Sequence, residues 1–310
     1  METFREKMHY HSLDLLRILG AFGIVWFHAP GEVAGKNIGY SGLVVFIVIS
    51  MVLMIPRIPG PRFAVKRVNR LLVPWVFWYF FYGALNVATG DAFLPAEMTS
   101  VSAILSGPKW HLWYLPFLFV TSVSIYYLVL LLKGLKGFGA IAFYAFLSLL
   151  GLFTTGLWRA WSMNLGSPWA QCMHALPSIF IGTAMGYISM ISIEAKRNIY
   201  ITAFSLIVGC ISFWLVSSGY SGVGIPYLLG TGLAGAALIL NMRPSKIVTY
   251  ISNLTFGIYL IHPLVYLLVM KFMKIAFPPS GYIIFLVFVI SALLTMCIKI
   301  TAPRLSKWVV

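Results

Sequence analysis

Charged residues are scarce in this sequence, and acidic residues are the scarcest. Only 9% of the 310 residues are charged, and 7 Asp and Glu stand against 22 Lys and Arg. Hydrophobic residues make up 60% of the chain, whereas a soluble protein of this length needs far more polar surface to cover its core. The composition therefore excludes an ordinary soluble protein and favours a protein embedded in a membrane.

Cysteines are also few, and their spacing fits neither a metal site nor a set of disulfides. Cys172, Cys210 and Cys297 lie singly in apolar runs. We interpret them as small buried hydrophobic residues and expect neither a metal site nor a disulfide framework. The first apolar run lacks a signal-peptide cleavage site, so we expect it to remain as the first membrane helix.

The long apolar runs predict an all-α protein, a bundle of about ten transmembrane helices. The short alternating segments of a β-barrel are missing, and each run approaches the ~20 residues that cross a bilayer. The predicted spans are 13–30, 39–56, 71–89, 111–132, 138–156, 171–192, 199–217, 223–241, 254–272 and 282–302. We expect one membrane-embedded domain over residues 1–310, without an appended soluble domain, in the cell membrane (inner or plasma membrane).

The strong positive charge is explained by membrane topology, and we expect no nucleic-acid partner. The formal net charge is +15, and Lys and Arg cluster in short loops between the apolar runs. With the N-terminus in the cytoplasm, fifteen of them fall in cytoplasmic segments and five in outer loops. The positive-inside rule then predicts that both termini are cytoplasmic and that the lipid bilayer surrounds the chain.

The first span places a fixed charge and a titratable imidazole in one apolar helix. Arg17 and His28 are eleven residues apart, which returns them to within ~20° of the same face and separates them by ~16 Å. Asp14 lies three residues before Arg17 and can pair with it. Two interpretations stay open: an interfacial anchor and a helix-end histidine, or functional groups that face a cavity, as intramembrane ionisable residues usually do.

A basic cluster precedes the third span. Arg62, Lys66, Arg67 and Arg70 fall at helical spacing, and the positive-inside rule explains their charge adequately. It does not require arginine, whose rigid fork suits phosphate groups better than lysine does. A phosphorylated cytoplasmic ligand is therefore an alternative interpretation.

Two further stretches carry histidines within apolar sequence. His111, Trp113 and Tyr114 begin the fourth span, on the side of the membrane predicted for His28, although the two aromatic residues also fit an interfacial belt. His262 lies near the middle of the ninth span, directly before Pro263, which loosens the local helical hydrogen bonding. A histidine at that depth needs a partner.

Five stretches of the sequence occur in a characteristic order. They are LDLLRILGAFGIVWFH (13–28), SGLVVFIVISMVLM (41–54), KRVNRLLVP (66–74), LWYL (112–115) and FGIYLIHP (256–263). Together they resemble the acyltransferase-3 family, integral membrane enzymes that acylate extracytoplasmic glycans. The family pattern has a glycine after Ser50, where this sequence has Met51, and this would alter the shape of that wall.

The resemblance implies that acetyl-CoA, or another short-chain acyl-CoA such as a succinyl donor, is the co-substrate. A hydroxyl of an extracytoplasmic polysaccharide or glycan would be the acceptor, and no metal would take part. It implies catalytic roles for His28, Arg17 and Asp14, and binding of the donor by Arg62, Lys66, Arg67 and Arg70. His28 would act as a general base or carry the acyl group covalently; both fit the sequence.

Other side chains are candidates for contacting the substrate or the oxyanion. They are His111, Trp113, Tyr114, Tyr259, His262, Ser50 and Glu32. A rival hypothesis is a transporter or flippase of glycan or lipid precursors, which would move its substrate without acyl transfer.

Overall fold

The computed structural model describes residues 11–57, 62–96, 98–132, 134–135, 137–240, 242–273 and 280–310. All regular secondary structure in these ranges is helical, as the sequence predicted. The α-helices are α1 (His11–Phe27), α2 (Lys36–Gly39), α3 (Ser41–Met54), α4 (Phe63–Arg67), α5 (Val73–Ala88), α6 (Ser100–Ser106), α7 (Tyr114–Leu131), α8 (Phe138–Phe153), α9 (Thr155–Leu165), α10 (Trp169–Ser189), α11 (Glu194–Ser217), α12 (Ser221–Ile239), α13 (Lys246–Ser252), α14 (Thr255–Met273), α15 (Gly281–Thr301) and α16 (Pro303–Val309). Two 3₁₀ segments, Ile55–Arg57 and Trp110–Trp113, and a π-helical turn, Val68–Leu72, complete the regular structure of these ranges.

Seven stretches of the described chain are long and apolar enough to cross a membrane. They are Lys36–Met54, Phe63–Ala88, Trp110–Leu131, Glu194–Ser217, Ser221–Ile239, Thr255–Phe272 and Gly281–Thr301. The pair formed by α8 and α9, which is bent by 69°, would make an eighth. Each predicted span coincides with a helix, but the number ten is not confirmed, because α1, which has only 17 residues, and α10 are not among these stretches.

The cytoplasmic placement of the termini stays a prediction. Several of the Lys and Arg residues that were counted for it lie outside the described residues, namely Arg5, Lys7, Lys133, Lys136 and Lys274. The third predicted span begins earlier than expected, because the helical stretch Phe63–Ala88 is continuous and includes most of the basic cluster in its first turns.

Helix α1 is held against its neighbours by glycine. A Cβ at Gly42 of α3 would overlap the carbonyl oxygen of Gly20, and a Cβ at Gly23 would lie 2.7 Å from the carbonyl oxygen of Gly39. Close backbone approach of this kind provides van der Waals contact where the surrounding lipid gives no hydrophobic driving force. It fixes the position of α1, and of the histidine that follows its last turn.

Helix α3 is the central helix of the bundle. It packs on α10, where a Cβ at Gly182 would lie 2.8 Å from the carbonyl oxygen of Val48, and on α12, where one at Gly230 would lie 2.7 Å from Cβ of Val44. With α1 on a third side, one face of α3 is left to line a cavity.

Candidate active site

One cavity of about 650 Å³ brings the sequence motifs together. Its wall includes residues of α1, α3 and the helical stretch 63–72 that contains most of the basic cluster, called the basic helix below. The segment around residue 111 and the start of α14 complete the wall. The cationic, histidine and amide side chains in its lining are Arg17, His28, Lys66, Arg67, Arg70, His111, Gln171 and Asn253. The cavity therefore contacts both the basic cluster and the histidine end of α1.

Arg17 is held at the cavity by a buried carboxylate. Nη1 of Arg17 lies 3.3 Å from Oδ1 of Asp14, which is only 2% exposed. The hydroxyls of Thr249 and Ser252 donate to the same carboxylate at 3.0 and 3.1 Å. The sequence predicted the Asp14–Arg17 pair from its spacing, whereas the α13 hydroxyls come from 235 and 238 residues away and have no local signal.

Three of the four predicted basic residues line the cavity, and Arg62 does not. Arg67 is half-buried, with its guanidinium carbon 5.3 Å from the ring centroid of Phe63. Lys66 and Arg70 are exposed. The π-helical turn begins directly after Arg67 and includes Arg70, and turns of this type are frequent at functional sites.

His28 lies directly after α1 and lines the cavity away from Arg17. Its Nδ1 is 2.9 Å from the carbonyl oxygen of Ile24. Because a carbonyl only accepts hydrogen bonds, Nδ1 carries the hydrogen and Nε2 the lone pair of the neutral ring. The eleven residues from Arg17 correspond to ~16 Å, about half of the ~30 Å hydrocarbon core of a bilayer.

Two more histidine rings pack against His28. The ring centroids of His28 and His111 are 6.2 Å apart, those of His28 and His262 are 5.0 Å apart, and those of His111 and His262 are 5.4 Å apart. His111 lines the cavity, whereas His262 is fully buried behind it. The sequence placed His111 on the side of His28 but did not predict that the three rings meet.

Tyrosine hydroxyls fix the backbone around these rings. Tyr259 donates to the carbonyl oxygen of His111, and Tyr82 donates to that of Leu260 at 2.7 Å. Tyr266 donates at 3.0 Å to the carbonyl oxygen of Val25, and so joins α14 to α1. Tyr259 lines the cavity, but its O–H is already engaged with protein.

The cavity residues that were not predicted include Tyr40, Trp110 and Gln171. The ring of Tyr40 lies between those of Phe27, at 4.2 Å, and His174, at 4.6 Å. Oε1 of Gln171 is buried and has no hydrogen-bond partner within the described ranges. The only sequence signal for this group was the pair of polar residues, Gln171 and His174, inside the apolar sixth span.

Among the residues that the structure describes, no three His, Cys, Asp or Glu side chains are grouped so as to hold a metal ion. The acyltransferase domain of the acyltransferase-3 family matches residues 10–301, which span α1 to α15. The chain belongs to the acyltransferase-3 family. Comparison with curated proteins and with solved structures gives no match.

The remaining acyltransferase-3 motif positions divide between the cavity and the core. Trp113, Tyr114 and Ser50 line the cavity. Met51, where the family pattern has glycine, is fully buried and packs towards Gly182 of α10, so it does not narrow the cavity. Glu32 is exposed in the loop after α1 and does not line the cavity.

Proposed function

We propose that this protein is a membrane O-acyltransferase that moves an acetyl or succinyl group from cytoplasmic acyl-CoA to a hydroxyl of an extracytoplasmic polysaccharide or glycan. Membership of the family supports a membrane acyltransferase. The observation that carries the finer proposal is the single cavity that is lined both by Arg17, Arg67 and the other cations and by His28.

The charge of the cavity suits a phosphorylated donor. Four cationic side chains line it, and no carboxylate does among the described residues. Arginine binds phosphate oxygens with two parallel hydrogen bonds, and CoA presents a 3′-phosphate and a pyrophosphate. The ~16 Å from Arg17 to His28 along α1 then has to be crossed by the uncharged arm that carries the thioester.

The lining around His28 suits an uncharged acceptor. Tyr40 and Trp110 supply aromatic surface, and Gln171 supplies an amide whose Oε1 has no partner in the described part of the chain. A mainly apolar wall with a few polar groups is the usual way in which a pocket orients a small ligand. A sugar ring, with apolar faces and hydroxyl edges, matches this lining.

His28 is the proposed general base. Its Nε2 accepts the proton of the acceptor hydroxyl while the oxygen attacks the carbonyl carbon of the thioester. The C–S bond then breaks, and the proton passes from Nε2 to the thiolate sulfur, which leaves an ester and free CoA. Trp113 and Tyr114 are the proposed donors to the oxyanion, since the O–H of Tyr259 is already bonded to the carbonyl of His111.

The test uses the full chain in proteoliposomes, with acetyl-CoA and envelope glycan from cells that lack the enzyme. Ester formation and thiol release are measured together. His28→Ala should lower the transfer rate about 10²- to 10⁴-fold, the usual weight of a general base. A far larger loss would favour an acyl-imidazole on His28, and a rate near that of the wild type would refute its role.

The same proteoliposomes distinguish the proposed acyltransferase from the rival hypothesis, a transporter or flippase. Movement of glycan across the bilayer without thioester turnover would identify a transporter or flippase and overturn the proposal.

A further inference from the structure

His262 is fully buried, yet one of its ring nitrogens is unsatisfied. Nδ1 lies 2.7 Å from the carbonyl oxygen of Tyr259 and 3.2 Å from that of Ile258, so it carries the hydrogen and Nε2 carries the lone pair. Nε2 has no hydrogen-bond partner among the residues that the structure describes. A buried acceptor without a donor lowers stability, and such atoms in native proteins call for an explanation.

The surroundings of His262 point to His28. His262 is not among the residues that line the cavity, but its ring centroid is 5.0 Å from that of His28. Its Nδ1 edge faces the carbonyls of its own helix, so the Nε2 edge points away from α14. The ring of His111 completes the group, and its Nε2 is also buried with no partner among the described side chains and backbone.

We infer that His262 is a positioning residue whose Nε2 lone pair stabilises the imidazolium that forms on His28 during acyl transfer. The inference rests on the proposed function. The proton stays on Nε2 of His28 until the thiolate takes it, and His262 neither gains nor loses one. The lone pair on Nε2 is the negative end of the dipole of the His262 ring, and it attracts the positive charge on His28. This attraction is strong because a water-poor interior screens charge weakly.

A carboxylate performs this task in serine-protease triads, and the carboxylates of the described chain lie elsewhere. Asp14 is fourteen residues from His28, or ~21 Å along α1. Glu32, Asp91 and Glu194 are exposed. A neutral histidine pair is thus the polar group that the fold supplies to His28 in place of a carboxylate.

Two substitutions separate the two edges of the His262 ring. His262→Gln can put an amide oxygen near the position of Nε2 but loses the donor to Tyr259, whereas His262→Asn keeps a donor near Nδ1 and loses the acceptor. With acetyl-CoA and envelope glycan in proteoliposomes, we expect kcat to be about tenfold lower for Asn than for Gln. The KM for acetyl-CoA should stay within about twofold of the wild type in both variants.

The matched control is Ser212→Ala, which removes another buried, unpartnered polar group, in α11 and outside the cavity. It should keep the wild-type kcat. If the Asn variant does not fold, His262→Met, which fills a similar volume without an acceptor, takes its place in the comparison with Gln.

Equal kcat values for the Gln and Asn variants, or a KM that rises as kcat falls, would reveal a purely structural residue and overturn the inference alone. An inactive wild-type protein would overturn the proposed function and this role together.

Discussion

Arg67 offers the sharpest test of donor binding, because it is the half-buried cation of the basic helix at the cavity. Arg67→Gln removes the positive charge and the planar guanidinium group but keeps a polar side chain. A hydrogen bond to a charged group contributes ~1.5–3 kcal/mol, and ~1.4 kcal/mol is a factor of ten. The KM for acyl-CoA should therefore rise about 10- to 150-fold, while kcat changes little because the chemistry takes place near His28.

The neighbouring positions set the scale of this effect. Arg70 is exposed, where a charge pair is worth only ~0.2–1 kcal/mol, so Arg70→Gln should raise KM about 1.4- to 5-fold. Arg67→Lys should fall between wild type and Gln, because the charge is kept and the planar fork is lost. Arg62→Gln removes the same charge from the same basic segment but not from the cavity, and its KM should stay within about twofold of wild type.

Thiol release from acetyl-CoA gives KM and kcat, and calorimetry of CoA binding gives the affinity without chemistry. Equal effects from Arg62→Gln and Arg67→Gln would refute the reasoning, since only one of these residues lines the cavity. Unchanged CoA binding in Arg67→Gln, together with altered orientation in the membrane, would reduce the cluster to a topology signal.

Two other predictions concern the frame and the orientation of the site. Gly42→Ala should lower the thermal unfolding midpoint and acyl transfer together, because its Cβ overlaps the Gly20 carbonyl and overpacking costs ~1–3 kcal/mol; an unchanged midpoint would show that α1 and α3 separate freely. In a chain without other cysteines, Asn69→Cys should react with an impermeant maleimide only from the cytoplasm, and Asn37→Cys only from outside. The reverse pattern would put the basic cluster on the acceptor side and contradict transfer across the membrane.

The parts of the site that the sequence predicted are those set by helical periodicity. The three-residue spacing of Asp14 and Arg17 gave their ion pair, and the eleven-residue spacing of Arg17 and His28 gave two groups that line one cavity. Both spacings are meaningful only if α1 is a helix, and its long apolar run predicted that it is. Helical spacing also placed the four basic residues together, but it did not distinguish Arg62 from the three that line the cavity, Lys66, Arg67 and Arg70.

Contacts between distant segments were beyond sequence reasoning. The meeting of His28, His111 and His262 depends on how three helical segments pack, and a single sequence contains no signal for such packing. The same holds for Tyr40 beside His174, and for Met51, whose direction towards α10 follows from the position of Gly182. The 69° bend after α8 was likewise missed, because the predicted span ended at residue 156 and nothing in a single sequence gives the angle between α8 and α9.

The middle of the cavity explains why one helix carries both Arg17 and His28. Between them α3 presents an apolar face to the cavity, formed by Leu43, Phe46, Ile49 and Leu53 at helical spacing. Phosphates would lose solvation without compensation along this wall, so they stay with the cations, while an uncharged arm can pass. In the proposed reaction, helix α1 then sets the distance, ~16 Å at 1.5 Å per residue, over which the thioester of acyl-CoA would reach from its phosphate anchor to the proposed base, His28. An insertion or deletion in α1 would change both the distance from Arg17 to His28 and the direction in which His28 points. The length of α1 would therefore have to match the length of the proposed donor.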